Sequence, residues 1–265
     1  MFMSSRAPVF KSDVSHKDYF FIWLYAAAIA AGEIVTAYYN PLYGISWQVV
    51  LLVVLLVHAA LSYKQTINLF YLALSLAPLI RIMSLSIPLI GVPPMYWYLI
   101  ISLPLFAAAA YVSKFAGFKP GDVGLVVGNL PLQLLVAFLG APLGLVEYLI
   151  LKPAPLVPEL TFQLVWLPAL ILLVSTGFME EFIFRGIMYR AAVETLGSWY
   201  SIIYISLIFG VLHITHRSPL DLVFVFSVAL LFSIIVGFSR SLLGVSLAHG
   251  LTNIGLYLIW PYLLK

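Results

Sequence analysis

Residues 177–190 read GFMEEFIFRGIMYR, placing two adjacent carboxylates, Glu180 and Glu181, and a guanidinium, Arg185, inside a stretch otherwise apolar enough to lie in a membrane. An ionisable side chain at bilayer depth costs about 2.5–3.5 kcal/mol even on lenient insertion scales, so each one has to be paired, hydrated or used. On a helix Glu181 and Arg185 stand four apart with the acid first, the favourable order for an ion pair. Glu180 lies about 100° further round the same helix and is left without that partner. A helix that needs only stability has no use for a second carboxylate there, which marks Glu180 as a candidate for chemistry.

The composition around this stretch agrees with a membrane setting. Hydrophobic residues make up 63% of the 265 and charged residues 9%, against about 45–50% and about 25% in ordinary soluble domains. With a mean hydropathy of +1.10, the chain reads as an all-α, multi-pass helix bundle integral to a membrane, the cell membrane if the source is prokaryotic. It contains no cysteine, which removes disulfides, thiolate nucleophiles and Cys-ligated zinc. The net charge of +3 is no argument for a nucleic-acid partner, because membrane proteins keep basic residues in their inner loops. The expected partner is the lipid bilayer.

Outward from the central stretch, the sequence offers eight to nine apolar runs of spanning length. They are Asp18 to Asn40, Ile45 to Tyr63, Thr66 to Ile90, Met95 to Ser113, Leu125 to Leu151, Thr161 to about Leu196, Ser198 to His213, Leu220 to Phe238 and Ser241 to Trp260. The first reads as an uncleaved anchor helix. Pro131 and Pro142 interrupt the fifth, predicting a kinked or re-entrant segment. The Pro-rich joint Lys152 to Pro158 is the best boundary in the chain, giving a polar tail 1–17, an N-terminal transmembrane part 18–158 and a catalytic membrane core 159–265. There is no internal repeat of the kind many transporters carry.

If all nine runs span with the N-terminus inside, Arg6, Lys11, Lys17, Lys64, Lys114, Lys119, Arg190 and Arg240 face the cytoplasm, and Lys152, Arg217 and Lys265 do not. That asymmetry favours an inside N-terminus. A single non-spanning run would reverse everything after it. Glu33, Arg81, Asn129, Gln133, Glu147 and His58 are scattered over separate runs and read as structural pairs, snorkelling ends or cavity-lining groups, with Glu33 and Arg81 as a plausible interhelical pair.

In the second half the polar residues fall on geometry that works together. A turn at about Leu196 to Ser198 makes its flanking helices antiparallel. Glu180 and His213 each lie about 16 residues from that turn, roughly 24 Å along their helices, and so reach the same depth. His249 and Asn253, four apart on one face, enter from the same side and can converge on them. A carboxylate and a histidine within reach of one water can move its proton. Asn253 and His249 supply N–H donors for an oxyanion. Glu181 and Arg185 read as a supporting pair behind them, and Phe209 as packing.

Glu180-Glu181-x-x-x-Arg185, Phe209-x-x-x-His213 and His249-x-x-x-Asn253 resemble, in order, the three motifs of the CPBP family, the type II CAAX prenyl endopeptidases and their bacterial and archaeal relatives. The Phe184-Arg185-Gly186 context matches too, and the resemblance spans Thr161 to Trp260. It implies a glutamate-dependent intramembrane protease without a cofactor. Glu180 and His213 would activate water, His249 and Asn253 would stabilise the oxyanion, and the substrate would be a prenylated or other membrane-associated peptide.

Other chemistries use the same letters. Zinc could be held by His213, His249 and Glu180, although H-E-x-x-H is absent and Asn253 is a poor ligand. A serine mechanism would have to use Ser246 with His249, which sit on one helix face without meeting. An aspartyl pair has only Asp13, Asp18, Asp122 and Asp221 to draw on, all in the tail, at run edges or in loops. A non-enzymatic transporter or immunity-type membrane protein would use the buried charges as an ion relay or a structural network. The oligomeric state is open at this stage.

Overall fold

The computed structural model describes residues 14–86 and 92–264. The tail as far as Asp13, the end of the third run at 87–90 and Lys265 lie outside the described residues. Nine helices among the described residues are long and apolar enough to cross a membrane: α1 His16–Tyr38, α2 Pro41–Leu61, α3 Ile67–Ser86, α4 Pro94–Phe115, α5 Leu130–Leu151, α6 Phe162–Leu196, α7 Ser198–His216, α8 Pro219–Ser239 and α9 Leu243–Leu263. No strand occurs among the described residues. The chain is an integral, multi-pass membrane protein.

Helix starts follow local chemistry. Ser15 and Asp18 form a capping box on α1, Asn40 caps α2 ahead of Pro41, Asn129 caps α5, and Ser218 caps α8 ahead of Pro219. Each cap satisfies an amide N–H that the first helical turn leaves unpaired. Pro131 therefore opens α5 instead of interrupting it, a correction to the sequence reading. Pro142 does disturb the helix, which breaks at Leu139 between Leu130–Phe138 and Gly140–Leu151, because proline cannot donate to the carbonyl four residues back. The run from Leu125 is also shortened. Residues up to Asn129 form an irregular segment, with Gly124 and Gly128 at positive φ, and Ser241 Oγ donates to the Val126 carbonyl at 2.6 Å.

Outward faces are apolar and lipid-ready; along α2, Val50, Val53 and Val57 are all exposed. Inward, Ile22, Ile29, Leu55, Phe70, Tyr71 and Leu74 join α1, α2 and α3 to the common core. Helix α9 runs between α5 and α6 at backbone contact. A Cβ on Gly144 would lie 2.6 Å from the Thr252 carbonyl oxygen, and one on Gly177 would lie 2.6 Å from that of Ser246. Small residues at such crossings let membrane helices approach closely enough for dispersion to hold them. Gly177→Val is expected to destabilise the fold by about 1–3 kcal/mol, an overpacking cost, read as a lower unfolding temperature in detergent.

The two ends of the bundle are tied separately. At one end the Arg217 guanidinium lies 5.9 Å from the Tyr38 ring, Arg81 donates to Thr215 Oγ1 at 3.2 Å, and the Leu156 N–H donates to the Tyr257 carbonyl at 3.1 Å. At the other, the Arg190 guanidinium lies 5.8 Å from the Phe118 ring, and the Leu242 N–H donates to the Gly124 carbonyl at 2.9 Å. The nine helices therefore alternate in direction, and none turns back.

Candidate active site

Helix α6 is not a regular α-helix through its centre. Two π-helical stretches, Leu173–Phe178 and Phe182–Met188, flank Met179–Glu181. Such widened turns are rare and concentrate at functional sites. Here they bracket the two carboxylates and aim both inward.

Glu180, His213, His249 and Asn253 all line one cavity of about 270 Å³, with Glu181 and Arg185 in its wall. That volume is near the lower end for ligand pockets, about 300 Å³. The Glu180 side chain is 26% exposed into it and makes no hydrogen bond to another described residue. Across from it, His249 Nε2 stands 3.9 Å from Glu180 Oε2. The alignment of Glu180 with His213 expected from their depth brings both to the cavity, but no hydrogen bond or ion pair joins them. His213 instead turns Nδ1 to the Phe209 carbonyl at 2.8 Å.

Glu181 does more than neutralise Arg185. Its Oε1 accepts from the Arg185 guanidinium at 3.0 Å and meets His249 Nδ1 at 2.9 Å. Ionised in this pair, the carboxylate can only accept, so Nδ1 of His249 carries the proton and the Nε2 facing Glu180 offers a lone pair in the neutral ring. The same reasoning applies to His213, whose Nδ1 faces a carbonyl. Asn253 Nδ2 donates to Thr176 Oγ1 at 2.8 Å, and Thr176 donates to the Leu172 carbonyl at 2.6 Å. One amide hydrogen of Asn253 is thereby fixed, which orients the other.

Arg185 is 2% exposed. Beyond Glu181 it donates to the Ala229 carbonyl at 3.2 Å and to Ser233 Oγ at 3.4 Å, and its guanidinium lies 4.4 Å from the Phe209 centroid. Phe209 also meets the His213 and His249 rings at centroid distances of 4.9 and 5.9 Å. It is the packing piece that spaces the two imidazoles.

Arg81 and Glu147, which the sequence left among structural pairs, snorkelling ends or cavity-lining groups, both line this cavity. Arg81 pairs with Glu33 at 2.7 Å, as expected, and also lines the cavity. Glu147, 7% exposed, lines the wall from α5. Neither shares a short motif with the helices that carry Glu180, His213 and His249, so nothing in the sequence could have joined them to those residues. Thr176 was findable, since it stands one turn before Glu180 on the same helix face. Asp221 is fully buried at the start of α8 and accepts from His216 Nδ1 at 2.7 Å.

The competing readings meet their geometry here. Ser246 Oγ is buried without a hydrogen-bond partner, and Ser246 lines an apolar groove on another side of α9. His249 bonds Glu181 rather than Ser246. Among the described residues, no three His, Asp or Glu side chains are arranged to hold a metal ion.

Comparison with known proteins adds a family. Residues 162–255 match the family model described as Type II CAAX prenyl endopeptidase Rce1-like. No curated protein and no solved structure matches the chain.

Proposed function

From the Rce1-like domain that residues 162–255 carry, we propose that this protein is an intramembrane endopeptidase that hydrolyses a peptide bond with water activated by Glu180. The observation that carries the reading is the arrangement of one part-buried carboxylate, without a hydrogen bond to a described residue, facing the Nε2 of a histidine 3.9 Å away in a shared cavity. A water beside both groups can give its proton to Glu180 while its oxygen attacks the peptide carbonyl carbon. As the C–O bond forms, the carbonyl oxygen takes the negative charge and is met by the free N–H of Asn253. The C–N bond then breaks and the proton held by Glu180 passes to the departing amine. His249, oriented by Glu181, and His213, oriented by the Phe209 carbonyl, flank the path and share the proton through their Nε2 atoms.

The family match supports peptide hydrolysis in the bilayer. For the substrate, we carry two classes: a prenylated protein C-terminus of the CAAX type, and another membrane-associated peptide. A detergent assay with prenylated and unprenylated peptides separates them. In the same assay Asn253→Ala is expected to lower the rate by about 10²–10³-fold, the effect of removing one oxyanion donor. Thermal unfolding of the variant should stay close to that of the wild type. An unchanged rate would remove Asn253 from the chemistry.

A further inference from the structure

Two carboxylates on the cavity wall lack a hydrogen-bonded partner, and hydrolysis uses only one of them. Elsewhere in the bundle, Glu33 pairs with Arg81 at 2.7 Å, Glu181 with Arg185 at 3.0 Å and Asp221 with His216 at 2.7 Å. Glu180 faces the lone pair of His249 and acts on water. Glu147 is the other: among the described residues it has no hydrogen bond and no ion pair, although it is only 7% exposed and lines the same cavity. Neither of its oxygens is sealed in protein, as one oxygen of Glu33, of Glu181 and of Asp221 is. Lys152, just past the end of the helix, is exposed and makes no ion pair with it.

Packing aims this carboxylate. Helix α5 lies on α9 through two glycines: a Cβ on Gly140 would collide with the Ala248 carbonyl oxygen, and one on Gly144 would lie 2.6 Å from that of Thr252. Glu147 follows Gly144 by three residues and so shares the face that meets α9. It stands on the cavity wall with Tyr98, Asn253 and Tyr257. An ionised carboxylate inside a membrane bundle has to be paired, hydrated or used. Water can hydrate Glu147 in the free protein. A peptide that enters the cavity displaces water, and the carboxylate then needs a cation brought by the peptide. A lysine ammonium or an arginine guanidinium supplies one, and tyrosine rings such as those of Tyr98 and Tyr257 attract the same charge. An uncharged side chain in that place leaves a buried charge unanswered, and an acidic one adds repulsion.

We infer that Glu147 forms a cation subsite in the cavity, and that the peptide cleaved carries a lysine or arginine side chain that pairs with it. The inference rests on the protease reading above. It adds a substrate preference that the three motifs do not carry, because Glu147 lies before the matched residues 162–255.

Peptide binding to the full chain in detergent tests it, in a Glu180→Gln background that stops turnover and removes the other unbonded carboxylate. Prenylated and unprenylated peptides are N-acetylated and carry one lysine, placed at successive positions; a matched set carries norleucine instead. At one position the lysine peptide is expected to bind about 30-fold more tightly than its norleucine match, the lower end for a buried charge that gains or loses its partner. Adding Glu147→Gln should remove that preference with little change in unfolding temperature, since Glu147 bonds to no described residue. Glu147→Asp, which keeps the charge on a shorter stem, should retain part of it. Equal binding of the two sets at every position, no binding by either, or a lysine preference that survives Glu147→Gln would overturn the inference. Cleavage by the wild type separates this result from the protease reading. If norleucine peptides are cut as well as lysine peptides, the protease stands without the subsite; if lysine binding depends on Glu147 but no peptide is cut, the subsite stands without the protease.

Discussion

Replacing Glu180 with glutamine is expected to lower peptide cleavage by about 10³–10⁴-fold, the upper part of the range for losing a general base. Glutamine keeps the shape of the side chain and its reach toward His249, but it has no site that takes a proton from water near neutral pH. The fold should hardly notice, because Glu180 bonds to no described residue and is 26% exposed to the cavity. Rate and unfolding temperature measured on one purified sample therefore separate the two effects. A large fall in rate at an unchanged unfolding temperature is the expected result. A variant that unfolds before it loses activity would make Glu180 part of a structural network.

Arg185 presents the opposite case. Arg185→Met is expected to destabilise the protein by about 3–5 kcal/mol, because removing one partner of a buried pair leaves an uncompensated charge. Glu181 is fully buried, with only His249 left to answer it. The Ala229 carbonyl and the Phe209 ring also lose the guanidinium they face. Combining Arg185→Met with Glu181→Gln removes both charges, so most of the lost stability should return in detergent unfolding. Activity should not return, since glutamine at 181 no longer offers a carboxylate to His249 Nδ1. Recovery of both would mean that Glu181 holds Arg185 and nothing else.

These two side chains also mark how far the sequence could be read. That an ion pair joins Glu181 to Arg185 follows from spacing alone. That Glu181 also grips His249, 68 positions later, depends on how α9 lies against α6, and that lie is set by Gly144 and Gly177 at the crossings. The widened turns on either side of Glu180 leave no trace in hydropathy, so which of the two acids faces which histidine was not legible. Hydropathy placed all nine helices because the cost of exposing polar backbone to lipid is the same for every span. It overran at Leu125, where Leu-Val-Val looks like helix but glycines at positive φ on either side hold an irregular segment. Arg81 and Glu147 reach the cavity from helices that share no spacing with the motifs around Glu180, His213 and His249, and only packing brings them there.

We propose that water activated by Glu180 does the hydrolysis without a metal ion. Glu181 is already engaged by Arg185 and His249 Nδ1, and the remaining donors do not form a triad around one point. The most direct test is the cleavage rate of the wild-type protein in detergent as a strong zinc chelator is raised from zero to large excess. A rate that stays flat across the titration is the predicted result. Loss of cleavage that added zinc restores would contradict it and recast Glu180 and His249 as metal ligands.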